Sequence, residues 1–181
     1  MVNNWHVITG GPSSGKTTLL AELAKLGYPA VPEMARLVID DGFAAGLSLE
    51  QIRADEKGFQ ETVFASKLAL EAAFDPTQEA FFDRGMQDSL AYYSSYGWQP
   101  DKTMQAGMSK ARYKTVFLLE PLDFFHNDGA RTEDHDFTLR LTTLLEDAYY
   151  QYDMPPVRVP VLSPAERAQF IIDYIKAGKR D

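Results

Sequence analysis

The 181-residue chain has no cysteine, which excludes disulfides, thiolate metal sites and cysteine nucleophiles and suits a reducing compartment, the cytoplasm being the expected address. Basic side chains are the minority, 18 against 26 acids, and the net charge of −8 opposes broad binding to nucleic acid or an anionic membrane. No stretch is long and apolar enough to span a bilayer, nothing resembles a signal peptide, and repeats and low-complexity tracts are missing. With 45% apolar and 24% charged residues, residues 1–181 are expected to form one ordinary domain of unspecified oligomeric state. Any phosphate bound by so acidic a chain must sit in a local basic pocket.

Trp5, His6, Val7, Ile8 and Thr9 form a short apolar run entering two glycines, which reads as a buried parallel strand ending in a tight turn. Leu19, Leu20, Leu23 and Leu26 then recur at helical spacing up to Gly27, a residue suited to a left-handed helix stop. Residues 28–32, interrupted by two prolines, read as an edge strand that delivers Glu33 to a helix reaching about Ala45. Ser48 and Gln51 form a capping box for one long helix whose buried stripe is Ile52, Phe59, Val63, Leu70 and Phe74, with Gly58 inside it. Central strands are expected at residues 80–83 and 113–119, with helices over 86–96 and 101–111 between them. The acid-rich segment at about 121–136 reads as a lid. Phe137, Leu141, Leu144, Leu145, Ala148 and Tyr152 restore a helical face, residues 157–161 form a last strand, and Ser163, Pro164 and Glu166 open a final helix. Strands alternating with helices predict an α/β fold, a parallel sheet covered on both faces with ligands at the carboxyl ends of its strands.

The chemistry begins at Gly10, Gly11, Pro12, Ser13, Ser14, Gly15, Lys16 and Thr17, followed by Thr18. They meet the full G-x-x-x-x-G-K-[ST] pattern in its proper context, between a predicted strand and a predicted helix. Glycines let backbone N–H groups converge on phosphates, the helix N-terminus adds positive potential, Lys16 reaches the β- and γ-phosphates, and Thr17 ligates magnesium. The expected ligand is ATP with Mg2+; GTP stays open as the alternative, although no guanine-selecting N-K-x-D segment is evident. Magnesium needs a second acid, and two strands end in one, Asp83 and Glu120. Asp83 is preferred because Arg84 follows it and adds a phosphate-facing cation. Glu33 and Arg36 lie past the edge strand, where a carboxylate could take an acceptor's proton and an arginine could hold an anionic acceptor group. Arg131 in the lid is the candidate arginine finger, with Arg140 beginning the next helix. His126, His135, Asp123, Asp128, Asp134 and Asp136 match no regular metal-ligand spacing. Tyr92, Tyr93, Tyr96 and Trp98 read as helix packing rather than a base-stacking wall.

With these residues in hand, the chain resembles the AAA-type P-loop family that includes the ribosylnicotinamide kinase domain of bacterial NAD regulators. The carriers are residues 9–18, then Gly27, Tyr28 and Pro29 with Pro32, Glu33 and Arg36, then Phe82, Asp83, Arg84 and Gly85 with Asp88, and Arg131 with Glu133. The resemblance implies a three-layer, five-stranded parallel sheet in the order 2-3-1-4-5, Asp83 beside the P-loop strand, a lid over ATP, and a loop at residues 161–164 that contacts the base. It implies no particular acceptor. Two functions compete: a kinase of a small hydroxylated metabolite such as a nucleoside or nucleoside-like compound, with Asp83 and Glu33 meeting that substrate, and a nucleotide-binding NTPase switch without an acceptor.

Overall fold

The computed structural model describes residues 3–122 and 135–178. Its frame is one five-stranded sheet in the order β2-β3-β1-β4-β5, formed by β1 (Trp5–Thr9), β2 (Ala30–Val31), β3 (Ala80–Asp83), β4 (Thr115–Leu119) and β5 (Val157–Val159). Every pairing is parallel, in the expected order. β1 lies at the centre, between β3 and β4, with Ile8 level with Asp83 on one side and Phe117 on the other. Successive side chains along a strand point to opposite faces. Val7, Phe82, Val116 and Leu118 therefore pack one way, against α4 (Glu56–Ala73), α5 (Asp88–Ser95), α6 (Lys102–Lys110) and α7 (His135–Tyr150). Ile8, Phe81, Phe117 and Leu119 pack the other way, against α1 (Lys16–Lys25) and α8 (Pro164–Gly178). Burial on both faces explains why these strands read as unbroken apolar runs.

α2 (Met34–Ala44) closes a smaller cluster in which Met34 meets Phe59 and Val63 of α4. Here one expectation fails. The Ser48–Gln51 capping box is present in full, but it opens only the four-residue α3 (Leu49–Ile52). The long helix starts separately at Glu56, where the Asp55 carboxylate accepts from the Gly58 N–H at 3.0 Å. The two caps lie seven residues apart, so one apolar stripe is carried by two helices with a turn between them. Gly58 is accounted for by this second cap: a Cβ there would lie 2.4 Å from the Asp55 carboxylate. The α8 cap is as expected, with Ser163 and Glu166 exchanging hydrogen bonds.

Candidate functional site

Between β1 and α1 the backbone winds tightly: Ser13 has φ 57° and Gly15 φ 88°. A Cβ on Gly10 would come within 2.8 Å of the Ser14 hydroxyl and 3.0 Å of the Leu119 carbonyl, so only glycine lets the loop lie this close to β4. Gly15 caps α1 without a side-chain hydrogen bond, and no acid occupies the first turn. That helix end thus presents unpaired N–H groups and positive potential to an incoming anion. The buried Lys16 ammonium donates to the carbonyls of Gly10 at 3.0 Å and Gly11 at 2.8 Å and to the Ser14 hydroxyl at 3.3 Å. Burial, followed by the neighbouring Arg84 charge, lowers its pKa from 10.5 to about 7. Thr17 and Thr18 are exposed along the same cleft.

At the carboxyl end of β3, Asp83 is buried, and its Oδ1 has no hydrogen-bond partner among the described residues. Burial raises its pKa to about 6 against the pull of Arg84. An orphaned carboxylate oxygen at a strand end, beside the P-loop strand, suits a hydrated magnesium ion shared with the Thr17 hydroxyl. Glu120, the competing acid, faces Arg158 at 3.8 Å, and Arg158 also bonds Glu146 on α7. No group of three metal-ligating side chains occurs among the described residues, and most of the histidine and aspartate cluster weighed above lies outside them.

Arg84, expected as a phosphate-facing cation, lines the cleft with the P-loop; it sits in a left-handed turn, φ 67°, and its guanidinium is held on three sides. It donates to Glu33 at 2.7 Å, to Asp88 at 3.2 Å and to the Gly10 carbonyl at 3.3 Å. This ties β3, the start of α2 and the P-loop together at one point. Asp88 is fully buried and accepts from four groups: Thr9 Oγ1, Arg84, the Gly85 N–H and Tyr149 Oη. Burial opposes its charge, but Lys67 and Arg84 outweigh that and hold its carboxyl below the usual 3.8. Burial likewise raises the Glu33 pKa while the Arg84 charge and hydrogen bond lower it further, leaving a net downward shift. Glu33 is therefore ionised at neutral pH. It occupies the N-cap position of α2 but makes no capping bond, because its carboxylate is committed to Arg84. Arg36, 75% exposed, stands at the cleft rim and pairs with Asp40 at 3.3 Å.

A cleft of about 730 Å³ joins these groups, lined by Pro12 to Thr18 of the P-loop and by Glu33, Arg36, Gln60, Lys67, Arg84 and Tyr92 across from it. Tyr92 is thus a cleft wall, with Arg84 lying over its ring at 5.3 Å, whereas Tyr96 and Trp98 stack on each other away from the cleft lining. Arg131 lies outside the described residues. Two basic residues escaped the sequence reading. Lys67 is buried on α4 and donates to the Gly85 carbonyl at 2.9 Å. Arg167 of α8 donates to the Ser14 carbonyl at 2.7 Å and the Pro160 carbonyl at 3.0 Å, bracing the P-loop from beneath. Both had a signal: each falls on the apolar stripe of its helix, Lys67 four residues after Val63 and Arg167 four before Ile171. A second cavity of about 450 Å³ adjoins the P-loop, between Gly15, Thr18 and Leu122 on one side and Val161 to Pro164 and Arg167 on the other.

Sheet order, loop and strand-end acid together define the P-loop NTPase fold in its kinase-type arrangement. The chain belongs to the AAA domain family, whose sequence model matches residues 5–167. No curated protein sequence matches it. Among solved structures it is similar to the NadR protein in complex with NR, with 17% identity and TM-score 0.68 over 94% of this chain, and it spans 50% of that protein's length. It is also similar to thymidylate kinase from Ehrlichia chaffeensis (13% identity, TM-score 0.66, covering 97% of this chain and 100% of that one). Deoxyadenosine kinase from M. mycoides is a third, at 18% identity and TM-score 0.65, covering 96% of this chain and 98% of that one.

Proposed function

We propose that this protein is an ATP- and magnesium-dependent phosphotransferase acting on a small hydroxylated metabolite of nucleoside-like size. The observation that carries the reading is the shared cleft: the P-loop forms one wall, and Glu33, Arg36, Gln60, Lys67 and Tyr92 form the other. That second wall combines a carboxylate, cations and an amide with apolar side chains, the groups needed to hold and deprotonate a hydroxylated acceptor. Similarity to thymidylate and deoxyadenosine kinases supports this reading.

In this mechanism Lys16 and the α1 N-terminus neutralise the phosphates, and the second cavity beside residues 161–164 takes the base. Magnesium, when bound by Thr17 and Asp83, would offset charge on the β- and γ-phosphates. The acceptor oxygen attacks the γ-phosphorus while the bond from that phosphorus to the β–γ bridging oxygen breaks. The electron pair leaves with the diphosphate, and the hydroxyl proton passes to Glu33. Arg84 keeps Glu33 ionised and aimed, and the loose transition state of phosphoryl transfer does not require a strong base. Arg131 is the candidate for the added cation in that transition state. A cysteine-free chain using ATP fits the cytoplasm.

ADP formation measured across a panel of nucleosides, nucleoside monophosphates, small polyols and sugar acids tests the proposal. At least one acceptor should raise turnover well above the rate with water alone. If none does, the kinase reading fails and a nucleotide switch takes its place.

A further inference from the structure

Five cations line the main cleft among the described residues, Lys16, Arg36, Arg53, Lys67 and Arg84, against one acid, Glu33, in a chain of net charge −8. Most of these cations are already answered. Arg84 is bonded to Glu33 and Asp88. Arg53 is gripped by Glu56 at 2.8 and 2.6 Å, and Arg36 pairs with Asp40. Lys16 bonds the P-loop itself and belongs to the donor phosphates.

Lys67 differs from all of them. Only 5% exposed, it opens onto the cleft, and its one hydrogen bond among the described residues is to a neutral group, the Gly85 carbonyl at 2.9 Å. Asp88, Glu33 and Glu71 supply nearby negative charge, yet none forms an ion pair with Lys67 among the described residues: both Asp88 oxygens are taken by Thr9, Arg84, Gly85 and Tyr149, Glu33 is bonded to Arg84, and Glu71 accepts from Tyr113. Two ammonium protons thus lack an acceptor among the described residues, in a site where burial already disfavours the charge. Ile39, Phe59, Val63 and Tyr92 line the same half of the cleft and give a ligand body apolar contact.

We propose that Lys67 anchors an anionic group, a carboxylate or a phosphate monoester, on the small-molecule acceptor, so that the substrate carries negative charge as well as the group that is phosphorylated. This rests on reading the far half of the cleft as the acceptor site. A buried cation facing such a group makes a charge-assisted hydrogen bond, and a neutral analogue leaves the ammonium unanswered.

The test is calorimetric titration of the intact protein saturated with AMP-PNP, so that the donor site is filled. Two matched pairs separate the two anions: thymidine 5′-monophosphate against thymidine, and gluconate against gluconamide. Wild type should bind the charged member of at least one pair about tenfold or more tightly than its neutral partner. Lys67→Met should abolish that preference while neutral binding changes little, whereas a merely structural lysine would weaken both members alike. Equal or tighter binding of the neutral member in both pairs overturns the inference, as does a preference that survives Lys67→Met. If the variant does not fold, the wild-type preference decides alone. ADP formation with the same probes separates this from the parent reading. Selective binding with no transfer to these probes or to any acceptor of the panel supports the anion site and sinks the kinase, and transfer to neutral acceptors without selectivity does the reverse.

Discussion

Asp88 offers the sharpest test of how the cleft is held together, through Asp88→Asn. The substitution keeps volume and removes one negative charge from a carboxylate that is fully buried and accepts from four donors, at 2.7, 3.2, 3.0 and 2.5 Å. A carboxylate accepts in every direction, but an amide must place its NH2 against at least one of those donors. Arg84 would keep Glu33 and lose its buried partner. Breaking a buried pair from one side costs about 3–5 kcal/mol, a large part of the roughly 5–15 kcal/mol that holds a domain folded. With a urea slope of about 2 kcal/mol/M, the unfolding midpoint at pH 7 should fall by about 1.5–2.5 M. The pH dependence has a fixed sign. The folded-state pKa of Asp88 lies below its ordinary 3.8, so its stabilisation is complete above the unfolded value and is lost as pH falls through the lower, folded one. The gap between wild type and variant should therefore be constant from pH 7 to about 5 and close only in strong acid. A midpoint shift under about 0.3 M at pH 7 would show that the carboxylate does not organise this cluster.

Three further outcomes follow from the same geometry. Because burial and Arg84 bring the Lys16 pKa to about 7 while bound phosphate requires the ammonium, magnesium-free ATP affinity should fall by up to about tenfold per pH unit above that value. Calorimetry at pH 8 in two buffers of different ionisation heat should detect proton uptake, and its absence would contradict the assignment. Glu33→Gln should lower acceptor-dependent turnover by about 10²-fold with ATP affinity nearly unchanged; wild-type rates in steady-state assays would mean the base is elsewhere. Gly85→Ala should cost about 1–3 kcal/mol and lower Tm by roughly 2–12 °C, since its Cβ would lie 2.6 Å from Tyr149 Oη and 2.7 Å from the Tyr113 ring; scanning calorimetry reads it directly.

Much of the fold was legible because its signals are local. Apolar runs ending in glycine or an acid mark the strands, and the P-loop is a contiguous pattern whose backbone does the binding. The separate start of α4 was missed because two good caps, at Ser48 and Asp55, stand within one continuous stripe, and periodicity alone does not register a turn between them. In the site, Lys16, Glu33, Asp83 and Arg84 were found by position at strand and helix ends, but their partners were not. That Arg84 grips Glu33 and Gly10 depends on residues 51 and 74 positions away, which no spacing rule connects. Lys67 and Arg167 were hidden for a related reason: a lone basic residue on an apolar helix stripe shows its purpose only when the facing carbonyl is known.

The brace between Arg167 and the Ser14 carbonyl has a consequence for how the chain is made. These residues are 153 positions apart, and Tyr149, which holds Asp88 and Gly85, also comes late. At about 5–20 residues per second of synthesis, the P-loop waits on the order of 8–30 s for the helix that finishes it. Until then the Ser14 carbonyl lacks this partner. A chain released before α8 should therefore carry the whole phosphate motif yet bind nucleotide weakly, which titration of a fragment ending at residue 162 would measure.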